Sequence, residues 1–435
     1  MARIARFICG QSEITYGHLS SSAGLLLMTE NNLTDGNGEN EAVLTRPLNV
    51  YRILRRQIHT FGNFTRQDRS KALLRTIAGT RHLQATKPHD KVYSILGILT
   101  TLGIRNLPIV DYERPVADIY LDLMKCFVEN DEDPRWILGG LGGKREVEGL
   151  ASWIPDLSTS DDLVPISRGA GPEDFSATRS PRTSAMIINT ELHVAGKIID
   201  RISHRPSIHI GEVPPDDAHP RIVLRGLSER TRVFQQWCIF AYGHLRQSHV
   251  YAGQDLDDVL CRTLLQNGLV GFGSGQVPQA TMQQFPAWVK LLFVFEPLGD
   301  ASVLPDARRA VEYAMNDPSV HALYFRTYDA AALYRGNVAW QTLVAIKFCG
   351  AGDIHGKIVH ATRSRTVFYT DGGLIGTGSD CIEIGDCIAL LDGVNVPMVI
   401  RMGEHGGYKM IAPAYVHGIM YGEQCPEDLT EFVFI

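Results

Sequence analysis

The C-terminal part of the chain constrains the fold most, because its hydrophobic pattern changes from helical to β after His360. Short apolar runs then alternate with breaks rich in glycine, asparagine and aspartate. The runs are TVFYT, CIALL, PMVIR, YKMIA and YVHGIM, and the breaks are DGGLIGTGSD, DGVN and GEHGG. Short runs divided by turn residues are typical of strands in a small barrel or rolled sheet. We therefore predict five or six strands between residues 360 and 425.

A shorter segment near the middle of the chain has a similar pattern. Apolar residues alternate over residues 186–188 and 192–199, and an Asn-Thr pair between them suits a turn. A hairpin alone is only marginally stable in water, and the later sheet has an edge to cover. We therefore predict that the hairpin pairs with strands of residues 366–420. One β module would then consist of residues 185–205 and 360–425.

Other stretches carry apolar residues at helical spacing. Residues 224–345 hold several such stretches, which predict a helical insertion between the two parts of the β module. Two further helices are predicted upstream, one with Asp90 as its N-cap and one that begins near Pro115.

The N-terminal 160 residues are predicted to be mostly helical. They open with one predicted strand that bears Ile8 and Ile14, and helices are predicted within residues 19–28 and 48–81. A polar segment rich in glycine and asparagine separates these helices and reads as a loop.

Composition excludes several classes of protein. The net charge of −6 and the pI of about 6.2 give no basic field for nucleic acid. Apolar runs stay below the roughly 18 residues of a membrane helix, and the N-terminus lacks the apolar region of a signal peptide. The 8 cysteines form no C-x-x-C and the 15 histidines no H-E-x-x-H, so we predict neither disulfides nor a metal site. We expect a cytoplasmic protein.

Two glycine-rich runs deserve comparison with phosphate-binding loops, GGLIGTG at residues 372–378 and GFGSG at residues 271–275. Such a loop lies between a strand and a helix, whose N-terminal amides face the phosphate. The first run is followed by a strand-like segment and the second by a proline-containing loop. We therefore interpret both as turns and predict no cofactor and no small-molecule ligand.

Four residues are weak candidates for a binding site, namely Asp386, Arg401, His417 and Glu423. Asp386 follows a glycine before a strand, which is also typical of a turn cap, and Arg401 could pair with Asp386 or Glu423 across strands. In an extended strand His417 and Glu423 would lie roughly 20 Å apart, too far for direct acid–base cooperation unless the glycines between them bend the chain. We therefore favour a structural role, with His417 hydrogen-bonded and Glu423 capping or ion-paired. No catalytic residue is predicted.

Several ordered motifs resemble those of fungal heterokaryon-incompatibility (HET-domain) proteins. They are ATKPHDKVYSILGIL around residues 86–97, VDYERPVADIYLDL around residues 111–122 and SWIPD at residues 152–156. The tail from TVFYT to YVHGIMYGE is also similar to the tail of that family. The resemblance covers most of residues 1–160 and 360–425.

The sequence departs from this family near its start. HET-domain proteins usually open with Leu-Ser-Tyr-x-Trp-Gly and later carry Trp-x-x-Arg-x-Trp-x-x-Gln-Glu, in a region similar to the Toll/interleukin-receptor fold where nucleotide cleavage is expected. Neither stretch occurs here. The resemblance thus implies an α+β chain with a truncated, mainly helical HET remainder at residues 1–160, a helical insertion and a small C-terminal β-barrel or rolled sheet.

Three functions remain open. The first is a non-enzymatic regulatory or interaction protein that acts with a protein partner in non-self recognition and programmed cell death in fungi. The second is an NAD-cleaving signalling enzyme whose catalytic segment is missing or supplied by a partner, and the third is an inactive truncated relic. For the first, we expect the contact surface within the first 30 residues, where Phe7, Ile8 and Ile14 would form an uncovered edge.

Overall fold

A computed structural model describes most of the chain. Backbone and side chains are described for residues 77, 80, 85–100, 103–129, 145–159, 175–179, 185–208, 219, 221–268, 276–297, 299–316, 334, 336–403, 406–425 and 428–435, and the backbone alone for residues 6–9, 12–15, 101 and 220. The predicted helix within residues 19–28 and the side chains of the predicted N-terminal contact surface lie outside this part. So do the predicted helices of residues 48–81, apart from helical backbone at Ile77 and Thr80.

Contacts divide the chain into two compact units. The first comprises Met1–Glu132 and Leu157–Ser160, and the second comprises Asp133–Asp156 and Asp161–Ile435.

The first unit begins with two strands, where the sequence predicted one. β1 (Arg6–Cys9) pairs antiparallel with β2 (Ser12–Thr15), and Phe7 lies opposite Ile14. The interval between the strands is two residues, the usual length of a tight hairpin connection. The prediction of a single strand overlooked this interval.

Among residues 85–129, which the structure describes except for Leu102, the first unit has α1 (Asp90–Tyr93), α2 (Leu96–Thr101) and α3 (Val116–Glu129). The predicted N-cap is off by one residue, because His89 occupies the cap and Asp90 lies in the first turn of α1. A carboxylate there still stabilises the helix through its dipole. Pro115 directly precedes α3, as predicted, and α3 buries an apolar face.

The first described strands of the second unit form the predicted hairpin, β3 (Met186–Ile188) and β4 (Glu191–His204). Asn189 has a φ of 58°, which asparagine tolerates better than most residues. β4 is longer than predicted and continues to His204.

A block of helices then follows. Its described α-helices are α4 (Pro220–Leu245), α5 (Leu256–Leu264), α6 (Gln279–Leu292), α7 (Leu304–Asn316), α8 (Val338–Ile346) and α9 (Gly352–Ala361). Helices therefore continue past residue 345, where the sequence placed the end of the insertion. Their core includes Trp237, Trp288 and Ile354 and also takes in Val367 and Ile375 from the strands that follow. None of the described helices combines the length and apolarity needed to cross a bilayer.

The remaining strands are β5 (Arg365–Thr370), β6 (Ile375–Ser379), β7 (Cys387–Leu391), β8 (Met398–Met402), β9 (Tyr408–Pro413), β10 (Tyr415–Val416) and β11 (Thr430–Phe434). In the described part of the chain, β3 to β11 form one sheet of 9 strands. β4 pairs with β5, β7 and β11, which confirms the predicted pairing of the hairpin with the later strands.

The sheet is rolled but is not a closed barrel as a whole. Pairings run from β4 through β11, β9, β8 and β7 back to β4, while β5, β6 and β10 continue outside this ring. The contact of β11 with β9 is a single parallel register pair, Phe434 opposite Tyr408. The mixed helix and strand content agrees with the predicted α+β class.

Two strands depart from the sequence prediction. β6 occupies most of the GGLIGTG run that we interpreted as a turn, and β11 lies beyond residue 425, where the predicted module ended. Gly376 allows Phe368 and the backbone of β10 to pack closely against β6. A Cβ at this position would lie 2.6 Å from Cζ of Phe368 and closer still to the carbonyl oxygen of Tyr415. Glycine within a strand is typical of such close approach.

Candidate functional site

The four candidate residues lie in two separate polar clusters of the second unit. The first cluster joins Asp386 to Arg401. The register of β7 and β8 places Cys387 opposite Ile400, so the next pair outward is Asp386 and Arg401. Arg401 Nε donates to Asp386 Oδ1 at 2.7 Å and Nη2 donates to Oδ2 at 3.0 Å. Such two-point pairing is among the stronger charge-assisted contacts.

The carboxylate of Asp386 also holds the turn before β7. It is 2% exposed and accepts the backbone N–H of Glu383 at 2.8 Å. Backbone bonds from Ile202 to Asp386 and from Gly385 to Ile202, both 2.8 Å, attach this turn to β4. Hydrogen bonding to Asp386 raises the pKa of Arg401. Of the two predicted partners of Arg401, the structure has Asp386 and adds Glu383, whose carboxylate lies 2.9 Å from Nη1.

The second cluster contains His417, directly after β10. Its backbone N–H donates to the carbonyl of Ile375 at 2.9 Å. The hydroxyl of Tyr251 donates to the carbonyl of His417 at 2.9 Å and accepts the N–H of Ile375 at 3.0 Å. Tyr251 precedes α5, so a single hydroxyl joins the helical block to β6 and to the chain after β10.

The imidazole of His417 is held neutral. Nδ1 lies 3.2 Å from the hydroxyl oxygen of Tyr415. Burial, and to a lesser degree the nearby charge of Arg262, lowers the pKa of His417 to about 4. Tyr415 is buried as well, which raises the pKa of its phenol. Both groups are therefore uncharged at neutral pH.

Glu423 caps a turn, as the sequence suggested. Its Oε2 accepts the N–H of Tyr421 at 2.7 Å. The predicted end-strand does not continue through this segment, because β10 ends at Val416 and the chain turns, with positive φ at Gly418 and Gly422. These positions favour glycine, which has no Cβ to clash there.

A third group of residues, which sequence reasoning missed, connects α5 to this turn. Arg262 donates from Nε to Asp258 at 3.2 Å and from Nη1 to Asn267 Oδ1 at 2.8 Å. Asn267 Nδ2 in turn lies 2.6 Å from the hydroxyl of Tyr421. The i,i+4 spacing of Asp258 and Arg262 was the only sequence signal for any of these contacts.

The backbone at this connection is strained. Gln266 and Asn267 are buried and have φ of 49° and 54°. The left-handed region costs roughly 1–2 kcal/mol for an ordinary residue. The side-chain bonds of Asn267, and that of Gln266 Nε2 to the carbonyl of Ala361 at 2.7 Å, stabilise this conformation. We name Tyr251, Arg262, Asn267, His417 and Tyr421 the tail junction, because together they tie the helices to the chain after β10.

In both clusters the polar side chains connect secondary-structure elements to one another. The carboxylates of Asp386 and Glu423 accept backbone hydrogen bonds, and the neutral His417 lies between the buried side chains of Tyr251 and Tyr415. Within the described residues, no group of three or more His, Cys, Asp or Glu could hold a metal ion.

The neutral state of His417 predicts a pH dependence of stability. The unfolded chain takes up a proton near pH 6.5, whereas folded His417 does so only near pH 4. Stability therefore falls as the pH drops through this window, because the unfolded state binds more protons. His417→Gln should reduce the slope of unfolding free energy against pH by up to about 1.4 kcal/mol per pH unit.

Urea unfolding between pH 4 and 7 measures this slope. Buried His355, whose pKa is also lowered to about 4, keeps part of the slope in the variant. The same substitution at exposed His249 serves as the control and should leave the slope unchanged. An unchanged slope in His417→Gln would show that the imidazole is not held neutral.

Comparison with known protein families relates the C-terminal part of the chain to one of them. Residues 324–435 match the model of the Het-6 beta-barrel domain. No curated protein and no solved structure matches the chain. The matched region contains α8, α9 and β5 to β11, and it relates the C-terminal part of the chain to heterokaryon-incompatibility proteins.

Proposed function

We propose that this chain is a regulatory protein of the heterokaryon-incompatibility type that acts through protein contacts. It takes part in non-self recognition and programmed cell death in a fungal cytoplasm, with a protein partner and without a catalytic centre of its own. The observation that carries this proposal is the match of residues 324–435 to the Het-6 beta-barrel domain.

The geometry of the candidate residues supports the proposal. An acid–base catalyst needs a titratable group that reaches a substrate. Here both carboxylate oxygens of Asp386 accept hydrogen bonds from Arg401, and one of them also accepts a backbone N–H. The carboxylate of Glu423 caps a turn. His417 lies between tyrosines with its carbonyl and N–H also bonded. These contacts are those of side chains that hold elements together.

The alternative is an NAD-cleaving signalling enzyme, and the two hypotheses can be distinguished by a test for NAD cleavage. We expect the purified chain to release no nicotinamide from NAD above the buffer control. The two stretches in which the resemblance places nucleotide handling do not occur in the sequence. Chromatography of nicotinamide, with a known NAD glycohydrolase as positive control, measures this. Robust release that a single carboxylate substitution abolishes would overturn the proposal in favour of the enzyme.

Hyphal fusion tests the proposed function itself. The chain is expressed from an inducible promoter in one strain of a filamentous fungus, which is then fused with genetically different and with identical partner strains. We expect a vital dye to mark dead fusion cells in a non-self pairing and few dead cells in the self pairing. Survival equal to that of the empty-vector control in every pairing would contradict the proposal.

A further inference from the structure

The first unit presents apolar side chains on a loop that precedes α3. Ile109 is 79% exposed, Val110 is 55% exposed and Tyr112 is 43% exposed. Ile109 and Val110 are adjacent aliphatic side chains, and at these exposures they contribute little hydrophobic burial to the core of the unit. Contiguous exposed apolar surface of this kind is typical of interaction sites. We name residues 109–113 the presenting loop.

Hydrogen bonds hold the presenting loop in one conformation. The hydroxyl of Tyr93 donates to the carbonyl of Asp111 at 2.7 Å and accepts the N–H of Asp111 at 2.9 Å. The carboxylate of Asp111 accepts the N–H of Glu113 at 3.0 Å. The hydroxyl of Tyr112 donates to Asp90 at 2.6 Å. The loop is thus fixed to α1 at two successive residues.

The end of the loop is fixed as well. His89 Nε2 lies 2.9 Å from the carbonyl oxygen of Arg114, and the guanidinium of Arg114 pairs with Asp122 of α3 at 2.8 Å. The Tyr112 ring packs edge-on against Tyr93 with centroids 5.1 Å apart. A segment that is ordered before binding loses little conformational entropy when it binds. The presenting loop therefore has both the apolar area and the preorganisation of a binding anchor.

Charge around the loop indicates the chemistry of the partner. Three carboxylates contact or belong to it, those of Asp90, Asp111 and Glu113. Among the described residues, cations with contacts here are Lys87, whose ammonium lies 4.8 Å from the centre of the Tyr112 ring, and Arg114, which pairs with Asp122. The described charged groups that border the apolar side chains therefore sum to a net negative charge. Complementary potentials favour a partner surface that is positive at its rim.

We propose that the presenting loop inserts Ile109 and Val110 into an apolar cleft of a protein partner, and that Lys or Arg side chains border this cleft. The carboxylates of Asp111 and Glu113 face these basic groups at the rim. The proposal rests on the proposed function for its biological role, because a regulatory protein of this type acts through such a partner.

Peptide selection tests this surface without knowledge of the natural partner. The full chain is immobilised, and a phage-displayed library of random short peptides is selected against it. We expect enriched peptides to combine aliphatic or aromatic residues with Lys or Arg. Their affinity should fall about tenfold or more for the double variant Ile109→Ser/Val110→Ser, as is typical of anchor residues. Glu113→Lys should weaken the basic peptides severalfold.

The matched control is Ile239→Ser. Ile239 lies on α4, outside the presenting loop, and its exposed fraction of 64% is between those of Ile109 and Val110. This variant should bind the selected peptides as the wild type does, and circular dichroism checks that every variant is folded. The proposal is overturned if no peptide is enriched, if the enriched peptides are acidic, or if they bind the double variant as tightly as the wild type.

The two proposals fail separately. Hyphae that survive every pairing, together with peptides that depend on Ile109 and Val110, would remove the proposed function and leave the docking surface. Cell death in a non-self pairing that persists in the double variant, together with peptides indifferent to the loop, would remove the docking surface and leave the function.

Discussion

Gly376→Ala is expected to lower the free energy of unfolding by about 3 kcal/mol, at the upper end of overpacking costs. The new Cβ would overlap the carbonyl oxygen of Tyr415 and the ring of Phe368. One of these neighbours is backbone in β10, so the overlap is relieved only if β6 and β10 separate. Separation would also break the bond from the N–H of His417 to Ile375.

Gly378→Ala is the matched control for Gly376→Ala, because both glycines lie in β6. A Cβ on Gly378 meets its nearest atom, Cδ1 of Ile382, at 3.4 Å, which is ordinary contact. We expect this variant to change stability by less than about 1 kcal/mol. Urea unfolding together with hydrogen exchange of the β6 amides measures both. Equal effects of the two substitutions would show that β6 and β10 do not approach this closely.

Asp386→Ala is expected to cost about 3 kcal/mol, because it removes one partner of a mostly buried ion pair and of a backbone N–H. Arg401 would lose its two-point contact, and the turn at Glu383 would lose its cap. Arg401 is partly exposed and keeps its contact with Glu383, which limits the expected decrease in the free energy of unfolding.

Glu383→Gln isolates the buried pair from the exposed one. Glu383 is 65% exposed in its side chain, so its contact with Arg401 is expected to contribute less than about 1 kcal/mol. The shift of the urea midpoint should therefore be several times larger for Asp386→Ala than for Glu383→Gln. Similar shifts would mean that the pair of Asp386 and Arg401 does not hold the turn.

The sequence predicted the elements with strong local patterns. The hairpin of β3 and β4 was predicted because its apolar residues alternate on either side of an Asn-Thr pair. Its pairing with later strands followed from the marginal stability of an isolated hairpin and from the open edge of the later sheet. The helices α1, α3 and those of the insertion were predicted from their periodic apolar faces. Pro115 marked the start of α3 for the steric reason that proline fits the beginning of a helix.

Where local pattern and tertiary contact disagree, the sequence prediction was wrong. β6 contains glycines, which locally favour turns, yet close approach of β10 and Phe368 requires them in a strand. The expected end-strand at His417 is wrong for a related reason, since Gly418 and Gly422 turn the chain.

The site was predictable only in part. Arg401 was expected to pair with Asp386 or Glu423 across strands, and the structure has the pair with Asp386. The tail junction was not predicted, because Tyr251 and His417 are distant in sequence and their contact passes through backbone groups. Asn267 gave no local signal either, as its left-handed backbone and its bond to Tyr421 depend on the packing of α5.

The decisive measurement is the fraction of dead fusion cells in non-self pairings for wild type and for the double variant His417→Gln/Glu423→Gln. Glutamine retains hydrogen bonding at both positions but removes any acid–base chemistry. At matched protein levels we predict the same fraction of dead cells for both chains, well above the empty vector. Loss of the response in the folded double variant would contradict a function that works through protein contacts and would place chemistry at these two side chains.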